Sequence, residues 1–376
     1  MKTGGLIADA LVIGGGPAGC LAAGRLAAAG IDTLLIDHRA APVTPMQTLT
    51  MSAFRLLRSL GVEVGTDCVG MARSMLVDWP NGREENSAPS STNVEALVVD
   101  RSPFDAALRA WAIRCGARVV AGRVIGWSEG DHGEKDAEIQ TPGGIACVEA
   151  CAIIVATGRA ASFGLHRQRL GPTTLALIAE LDDFALPAEI CVEAVDDGWI
   201  WATQHCGSTL VVAVTSPTAR HHRADALQSL FRQSATFSVC TVDQCRIRTT
   251  DATPSIATSP PRDRVHLIGD AAYFLDPLSG HGLSAALRSA VQTSDALIRD
   301  GTDIAHATTI RSSDEVARHH GAIAARYYLV GAERFRTAFW VDRSSTVSPL
   351  AMSSAARKST DVASPTMVPA RSAIRA

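Results

Sequence analysis

Residues 8–39 read ADALVIGGGPAGCLAAGRLAAAGIDTLLIDHR, and this stretch decides the fold. An apolar run from Ala10 to Ile13 meets Gly14-x-Gly16-x-x-Gly19. An Ala- and Leu-rich stretch of helical period follows (Leu21, Ala22, Gly24, Arg25, Leu26), and a second apolar run ends in Asp37. The pattern predicts strand, turn, helix and strand, the unit that binds a dinucleotide. Gly14 permits the tight turn, Gly16 lets backbone approach a pyrophosphate, and Gly19 lets the helix lie close to the strand. Pro17 and Ala18 open the helix, whose N-terminus turns unpaired N–H groups and partial positive charge toward phosphate. Asp37 stands about 20 residues on, where a carboxylate that binds a ribose hydroxyl is expected. An ordinary glycine-rich turn between buried elements is the competing reading. His38 and Arg39 come next, and Arg39 either neutralises the pyrophosphate or sits solvated in a loop.

The bulk properties narrow the class. At 376 residues the chain suits one large α/β unit or two domains sharing a core. A formal charge of −3 offers no electrostatic case for nucleic acid. The nine cysteines form no CxxC pair, and Cys147 and Cys151 are too far apart for a zinc knuckle, so thiols in a reducing compartment and no metal site are expected. The first strand begins within a few residues of the first residue, so no signal peptide is expected. The one transmembrane-like window, residues 11–29, is broken by glycines, Pro17 and Arg25. A cytoplasmic, soluble protein without stable membrane association is expected.

Along the chain, residues 38–48 predict a loop, residues 49–60 a helix stopping at Gly61, and the polar run at 81–93 a surface loop. Residues 94–99 predict a strand, followed by a helix with Ser102 as N-cap and Pro103 in its first turn. Strands are expected over 117–127, 138–148 and 151–156, then over 190–195, 199–205 and 210–214, with a helix over 224–232. The middle block resembles an antiparallel sheet inserted into the first domain. Residues 264–268 return to the first sheet, and helices follow over 282–298, 313–328 and 332–339.

Three further stretches carry chemistry. Arg101 stands with Phe104 and Asp105. Residues 153–159, IIVATGR, form a buried strand ending in a turn at Thr157 and Gly158. Residues 267–286 read LIGDAAYFLDPLSGHGLSAA. Gly269 and Asp270 end a strand, and Asp270 either binds ribose or ribityl hydroxyls or is structural. Gly280 and Gly282 open a helix whose positive end can face a developing anion.

In their order and spacing these motifs resemble the FAD-dependent monooxygenases of the para-hydroxybenzoate hydroxylase fold, in the branch with flavin-dependent halogenases and prenyl reductases. The likeness runs from residue 7 to residue 299, through GGGPAG, Asp37, DRSPFD, ATGR and GDAAYFLDPLSGHG. It implies an α/β, Rossmann-like FAD-binding domain over 1–165 and 251–300, with an antiparallel-sheet substrate domain over 166–250. Residues 70–93 then lie on the substrate side, helices follow over 301–340, and 341–376 is a disordered tail. It also implies the FAD pyrophosphate at Gly14, Gly16, Pro17, Ala18 and Gly19, the adenosine ribose at Asp37, and cofactor contact at Arg101. Asp270 would hold the ribityl chain, and the loop of Pro277, Gly280, His281 and Gly282 would lie along the isoalloxazine. The wording DPLSGHG is most similar to the flavoproteins that oxidise tryptophan residues in tryptophylquinone maturation.

The resemblance implies hydroxylation of an aromatic or indole group through a flavin C4a-hydroperoxide, with O2 as cosubstrate. No second GxGxxG is present, so electrons come from docked NAD(P)H or a separate reductase. The substrate is an aromatic small molecule or a peptide or protein carrying tryptophan. Trp199 and Trp201 share one side of a strand, and either line the substrate pocket or fill space between layers. The halogenase WxWxIP signature is broken by Ala202 and Thr203. The chain's three lysines, Lys2, Lys135 and Lys358, miss the position where halogenases use one. His281 either bonds the flavin or ends a turn, and His205 either moves a proton or sits at an exposed strand end. Arg73 and Trp79 occupy the family's substrate-side segment, and Gln47 falls where relatives often carry an acid. The rival functions are a flavin-dependent halogenase, a prenyl (geranylgeranyl-type) reductase, and a non-catalytic flavin-binding partner protein.

Overall fold

The computed structural model describes residues 6–38, 45–65, 68–87, 96–129, 135–159, 165–205, 207–242, 245–258 and 264–345. The chain opens with β1 (Leu6–Ile13), α1 (Pro17–Ala28) and β2 (Thr33–Asp37). Then come β3 (Met46–Thr50), α2 (Met51–Ser59), β4 (Val69–Met71), β5 (Ser74–Trp79), β6 (Gly82–Ser87) and β7 (Ala96–Asp100). Helix α3 (Arg101–Arg114) leads to β8 (Arg118–Ala121), β9 (Arg123–Glu129), β10 (Lys135–Thr141) and β11 (Gly144–Val155). The middle of the chain forms β12 (Arg167–Arg169), β13 (Leu175–Leu181), β14 (Ile190–Val195), β15 (Gly198–His205), β16 (Ser208–Thr215) and α4 (Arg223–Gln233). It closes with β17 (Arg248–Asp251), β18 (Ser255–Ala257), β19 (Val265–Leu267), β20 (Tyr273–Phe274), α5 (Gly282–Phe335) and α6 (Ala338–Ser344).

The first sheet has the order β8-β2-β1-β11-β10-β9, with β19 also paired to β11. Strands β8, β2, β1, β11 and β19 run parallel, whereas β9 and β10 form an antiparallel arm. The parallel strands are buried on both faces, which is why they read as continuous apolar runs. On one face lie α1, α3 and α5, whose contacts run through Leu21, Leu26, Phe104, Leu108 and Leu287. A second sheet, β17-β13-β16-β15-β14-β5-β6, draws strands from two separated parts of the chain. Its residues alternate strictly. Leu177, Ile200, Ala202 and Val211 face outward under α4, while Ala176, Trp199, Trp201, Val212 and Val214 face inward toward α5 and α6.

Several local expectations give way to tertiary pairing. Residues 46–50, expected as loop to 48 and helix from 49, are a strand because they pair antiparallel with β7. The helix therefore starts after Thr50, whose hydroxyl accepts from the Ala53 N–H at 3.2 Å. Asp100 rather than Ser102 caps α3, accepting from the Ser102 N–H at 3.0 Å. Residues 82–87 form strand β6, paired antiparallel with β5 at the end of the second sheet among the described residues; residues 88–93 lie outside the described ones. The strands expected at 138–148 and 151–156 belong to different registers: β10 ends at Thr141, and β11 runs unbroken from Gly144 to Val155. Between Gly301 (φ 76°) and Phe335, α5 is continuous where two helices were expected. Helix α6 extends to Ser344, past residue 341, with Trp340 fully buried and Arg343 only 4 % exposed. Trp340 Nε1 donates to Val195 O at 2.9 Å and Arg343 Nη2 to Thr174 Oγ1 at 2.7 Å, so α6 straps the second sheet to α5. Residues 346–376 lie outside the described ones. Among the described residues no helix is long and apolar enough to cross a membrane.

Candidate functional site

The carboxyl ends of β1, β11 and β19 lie side by side, and their connections stay laced together past the strands. Ala156 N donates to Ile13 O at 2.8 Å and Ile268 N to Val155 O at 3.1 Å. This is the edge at which open α/β sheets form a binding crevice. Gly14 there has φ 108°, and a Cβ on it would lie 2.5 Å from Ala156 O. A Cβ on Gly19 would lie 1.8 Å from Gly14 O, so α1 sits directly against the turn. A Cβ on Gly16 would meet nothing within 4 Å. Gly16 is also the N-cap of α1, with Pro17 in the first turn, so the positive end of the helix faces open space.

The second motif arrives at the same place. Gly269 lies close enough to α1 and α5 that a Cβ on it would be 3.2 Å from Ala18 Cβ and 3.3 Å from Ala286 Cβ, and its N–H donates to Ser289 Oγ at 2.8 Å. Beside it, burial pushes the Asp270 carboxyl up, opposed by the guanidinium groups of Arg159, Arg101 and Arg167. Arg101 is held by a two-pronged bond to Asp105 (2.9 Å each) and by Gln47 Oε1 at 2.8 Å. Gln47, where an acid was the family expectation, thus supplies a neutral acceptor to Arg101. Arg159 donates to Thr250 Oγ1 at 2.7 Å and lies 4.6 Å over the Phe274 ring, tying the ATGR turn to the second sheet. Gly158 is left-handed (φ 68°), and Thr157 Oγ1 is buried with no hydrogen-bond partner among the described residues. An orphan hydroxyl, an open helix end and a carboxylate ringed by arginines are a donor and acceptor set that suits a dinucleotide.

Asp37 is 8 % exposed and ion-paired to Arg109. Burial and the Asp37 charge push the Cys20 thiol up to about 12. His38 is exposed just past β2, and Arg39 lies outside the described residues.

The loop before α5 is braced from several sides. Asp276 Oδ1 accepts from Leu278 N at 2.9 Å, and Tyr328 OH reaches both carboxylate oxygens at 3.1 Å. Pro277 starts a short 3-10 turn, Gly280 is left-handed (φ 62°), and Gly280 O accepts from Thr48 Oγ1 at 3.0 Å. His281 Nδ1 contacts Ser279 O and immediately precedes Gly282, the first residue of α5. Its ring centroid is 5.1 Å from that of His320, which is 5.4 Å from His319. Burial first, then His281, His319 and Arg288, pull His320 down to about 4.

Leu278 of this loop joins the inner face of the second sheet in one apolar cluster with Trp79, Trp199, Trp201 and Tyr327. Trp199 is 3 % exposed and serves as packing, whereas Trp201 is half-buried. Strand pairing separates the remaining candidates from this cluster. His205 ends β15 at the hairpin opposite Ser208, about 20 Å along the strand from Trp199. Arg73 is exposed at the same end of the sheet, where its backbone N–H donates to Glu189 Oε2 at 2.6 Å. Arg73 and His205 therefore sit apart from Trp79, Trp199 and Leu278. Arg109, Arg167, Tyr328 and His320 went unnoticed in the sequence. Only Arg109 carried a signal, since Arg101, Asp105 and Arg109 fall at i, i+4 and i+8 on one helix face.

Residues 8–162 match the FAD binding domain. Digeranylgeranylglycerophospholipid reductase 2 of Methanopyrus kandleri is 25 % identical over 308 residues, 74 % of each chain. Tryptophan 2-halogenase of Chondromyces crocatus is 25 % identical over 365 residues, 88 % of this chain and 69 % of that one. The structure of QhpG, a peptidyl tryptophan dihydroxylase essential for tryptophylquinone cofactor biogenesis, superposes with a TM-score of 0.73 at 23 % identity, covering 90 % of this chain and 78 % of that one.

Proposed function

We propose, from the premise that this chain is an FAD-dependent oxidoreductase of the monooxygenase and halogenase family, that it hydroxylates an aromatic or indole group. The reaction would take O2 as cosubstrate and electrons from NAD(P)H or a separate reductase. The carrying observation is the shared cluster of Leu278 with Trp79, Trp199, Trp201 and Tyr327, which sets an aromatic wall against the loop at the positive end of α5.

Bound flavin supplies the two-electron and oxygen chemistry. The open amides at Gly16 and the start of α1 would hold its pyrophosphate, and Asp37, oriented by Arg109, the ribose. Asp270 would accept from ribityl hydroxyls; burial pushes its carboxyl up, and three guanidinium groups oppose that rise. Backbone N–H groups at Gly282 would stabilise negative charge that develops at the loop. His281, whose Nδ1 is engaged by Ser279 O, has Nε2 left to exchange a proton there. The Trp201 side of the second sheet would bind the substrate ring and exclude water. Either a small aromatic molecule or a peptide-borne tryptophan suits that wall, and a cytoplasmic location follows from the same reading. Lys135, the one described lysine, is tied to Glu129 at 3.0 Å on the antiparallel arm, far from the aromatic wall, which weighs against halogenation.

Oxygen uptake tests the proposal. A monooxygenase consumes O2 with NAD(P)H and is stimulated by an aromatic substrate. A prenyl reductase turns over without O2, a halogenase requires halide, and a flavin-binding partner protein does none of these. Any of the last three outcomes would replace the reading.

A further inference from the structure

The outer face of the second sheet is covered by α4 and by residues 238–242 and 245–249, and between them lies an open groove of about 1290 Å³. Among the described residues four arginines line it, Arg223, Arg232, Arg246 and Arg248, against one lining acid, Asp225. All four are exposed. Arg248 approaches Glu180 at 3.9 Å, and the other three make no ion pair among the described residues. The chain as a whole is net negative, so this is a local concentration of positive charge rather than a sample of a basic surface. The N-terminus of α4 opens into the same groove with no side-chain cap, adding the positive end of an eleven-residue helix.

The groove is built on a rigid floor. Gln228 on α4 pins the opposite wall twice, donating to Cys240 O at 2.9 Å and accepting from Val242 N at 3.1 Å. Beneath it Phe231 and Phe237 stack at 5.5 Å, and Ser234 Oγ donates to buried Glu193 at 2.6 Å. Guanidinium forks held on such a frame match carboxylates in two-pronged geometry. At the rim Val239 is 80 % exposed, an apolar lip beside the arginines. A single small anion would engage one or two of these groups. The spread of four arginines, the open ends and the apolar lip suit an extended chain carrying several carboxylates.

We infer that this groove docks an acidic segment of a polypeptide partner, on the side of the second sheet opposite the Trp201 wall. The inference stands apart from the reaction at the crevice and needs no turnover to be tested. The probe is a labelled Glu-rich decapeptide containing one leucine, titrated against the full-length flavin-loaded protein and followed by fluorescence anisotropy. Saturable binding is expected, lost by about tenfold between about 0.05 and 0.3 M salt. The variant R223Q/R232Q/R246Q should weaken it by about tenfold or more with melting temperature and flavin content unchanged. If that variant folds poorly, R246Q alone should weaken binding by about threefold. A Lys-rich decapeptide should not bind. No saturable binding of the acidic peptide, equal binding by the arginine variants, or displacement by pyrophosphate at the same concentrations as unlabelled peptide would each overturn the inference.

Discussion

The crevice at the first sheet and the aromatic wall of the second sheet, which Leu278 joins, are built on opposite principles. At the crevice the working surface is backbone: Gly14, Gly16, Gly19 and Gly269 are shaped by what a Cβ would strike or leave open. At the wall the working surface is side chain: Trp79 meets Tyr327 and Trp340 edge-on, and Trp199 and Trp201 belong to the same cluster. A backbone site tolerates almost no substitution yet accepts any ligand with the right phosphates. A side-chain site can be remodelled ring by ring, which suits a fold that hosts hydroxylation, halogenation and double-bond reduction.

The sharpest test of that contrast lies between two glycines three residues apart. Gly19→Ala drives a methyl into Gly14 O and should cost about 3 kcal/mol in denaturant unfolding. Gly16→Ala, with open space around its Cβ, should change stability by less than about 0.5 kcal/mol yet weaken flavin binding about tenfold. Equal destabilisation by both would break the claim that Gly16 is kept for a ligand. Next in size, Asp270→Ala should lower flavin affinity by about 30- to 100-fold, seen as colourless protein and in titration with free FAD. A variant that keeps full flavin would remove that carboxylate from the site.

Smaller effects are expected where the two regions are joined. Tyr328→Phe removes the hydroxyl that reaches Asp276 and leaves a buried carboxyl short of a donor, at a cost of about 1–3 kcal/mol. Thermal melting measures the cost, and a fall in flavin content would show that α5 braces the loop. The smallest effect concerns His320, among His281, His319 and Arg288. Its folded value of about 4 lies below the ordinary 6.5, so the native state binds fewer protons than the unfolded chain between those values. Stability from this group is present above pH 6.5 and lost as pH falls toward 4. His320→Gln should flatten that acid-side loss by less than about 1 kcal/mol, since the ring is only half-buried and solvent screens it. Urea midpoints at pH 7 and 5 check it, and a slope as steep in the variant would place the acid sensitivity elsewhere.

Legibility followed the same divide. The turn at Gly14, the strand ending at Thr157 and the turn at Gly269 could be read locally, because backbone sterics act over a few neighbours. Residues 46–48 and 82–87 read as loop, and 49–50 as helix, because strand β3 exists through its pairing with β7, and β6 through its pairing with β5. Helix α6 runs past residue 341 for a related reason: Trp340 packs against Gly331, on which a Cβ would lie 2.0 Å from the indole ring. His205 and Trp199 share a strand in sequence but stand at its two ends, so being on one element did not put them in one site.

By itself the sequence determined a dinucleotide crevice with an acid at each end, since glycine spacing and strand-terminal carboxylates act through short-range geometry. Only the tertiary structure decided which arginines act on Asp270, that Tyr328 braces the loop from a helix more than fifty residues later, and that α4 presents a basic groove. Those arrangements are charge and packing contacts between segments distant in the chain. Such contacts leave no periodic trace in any one segment, because they exist only once the sheets have closed on one another.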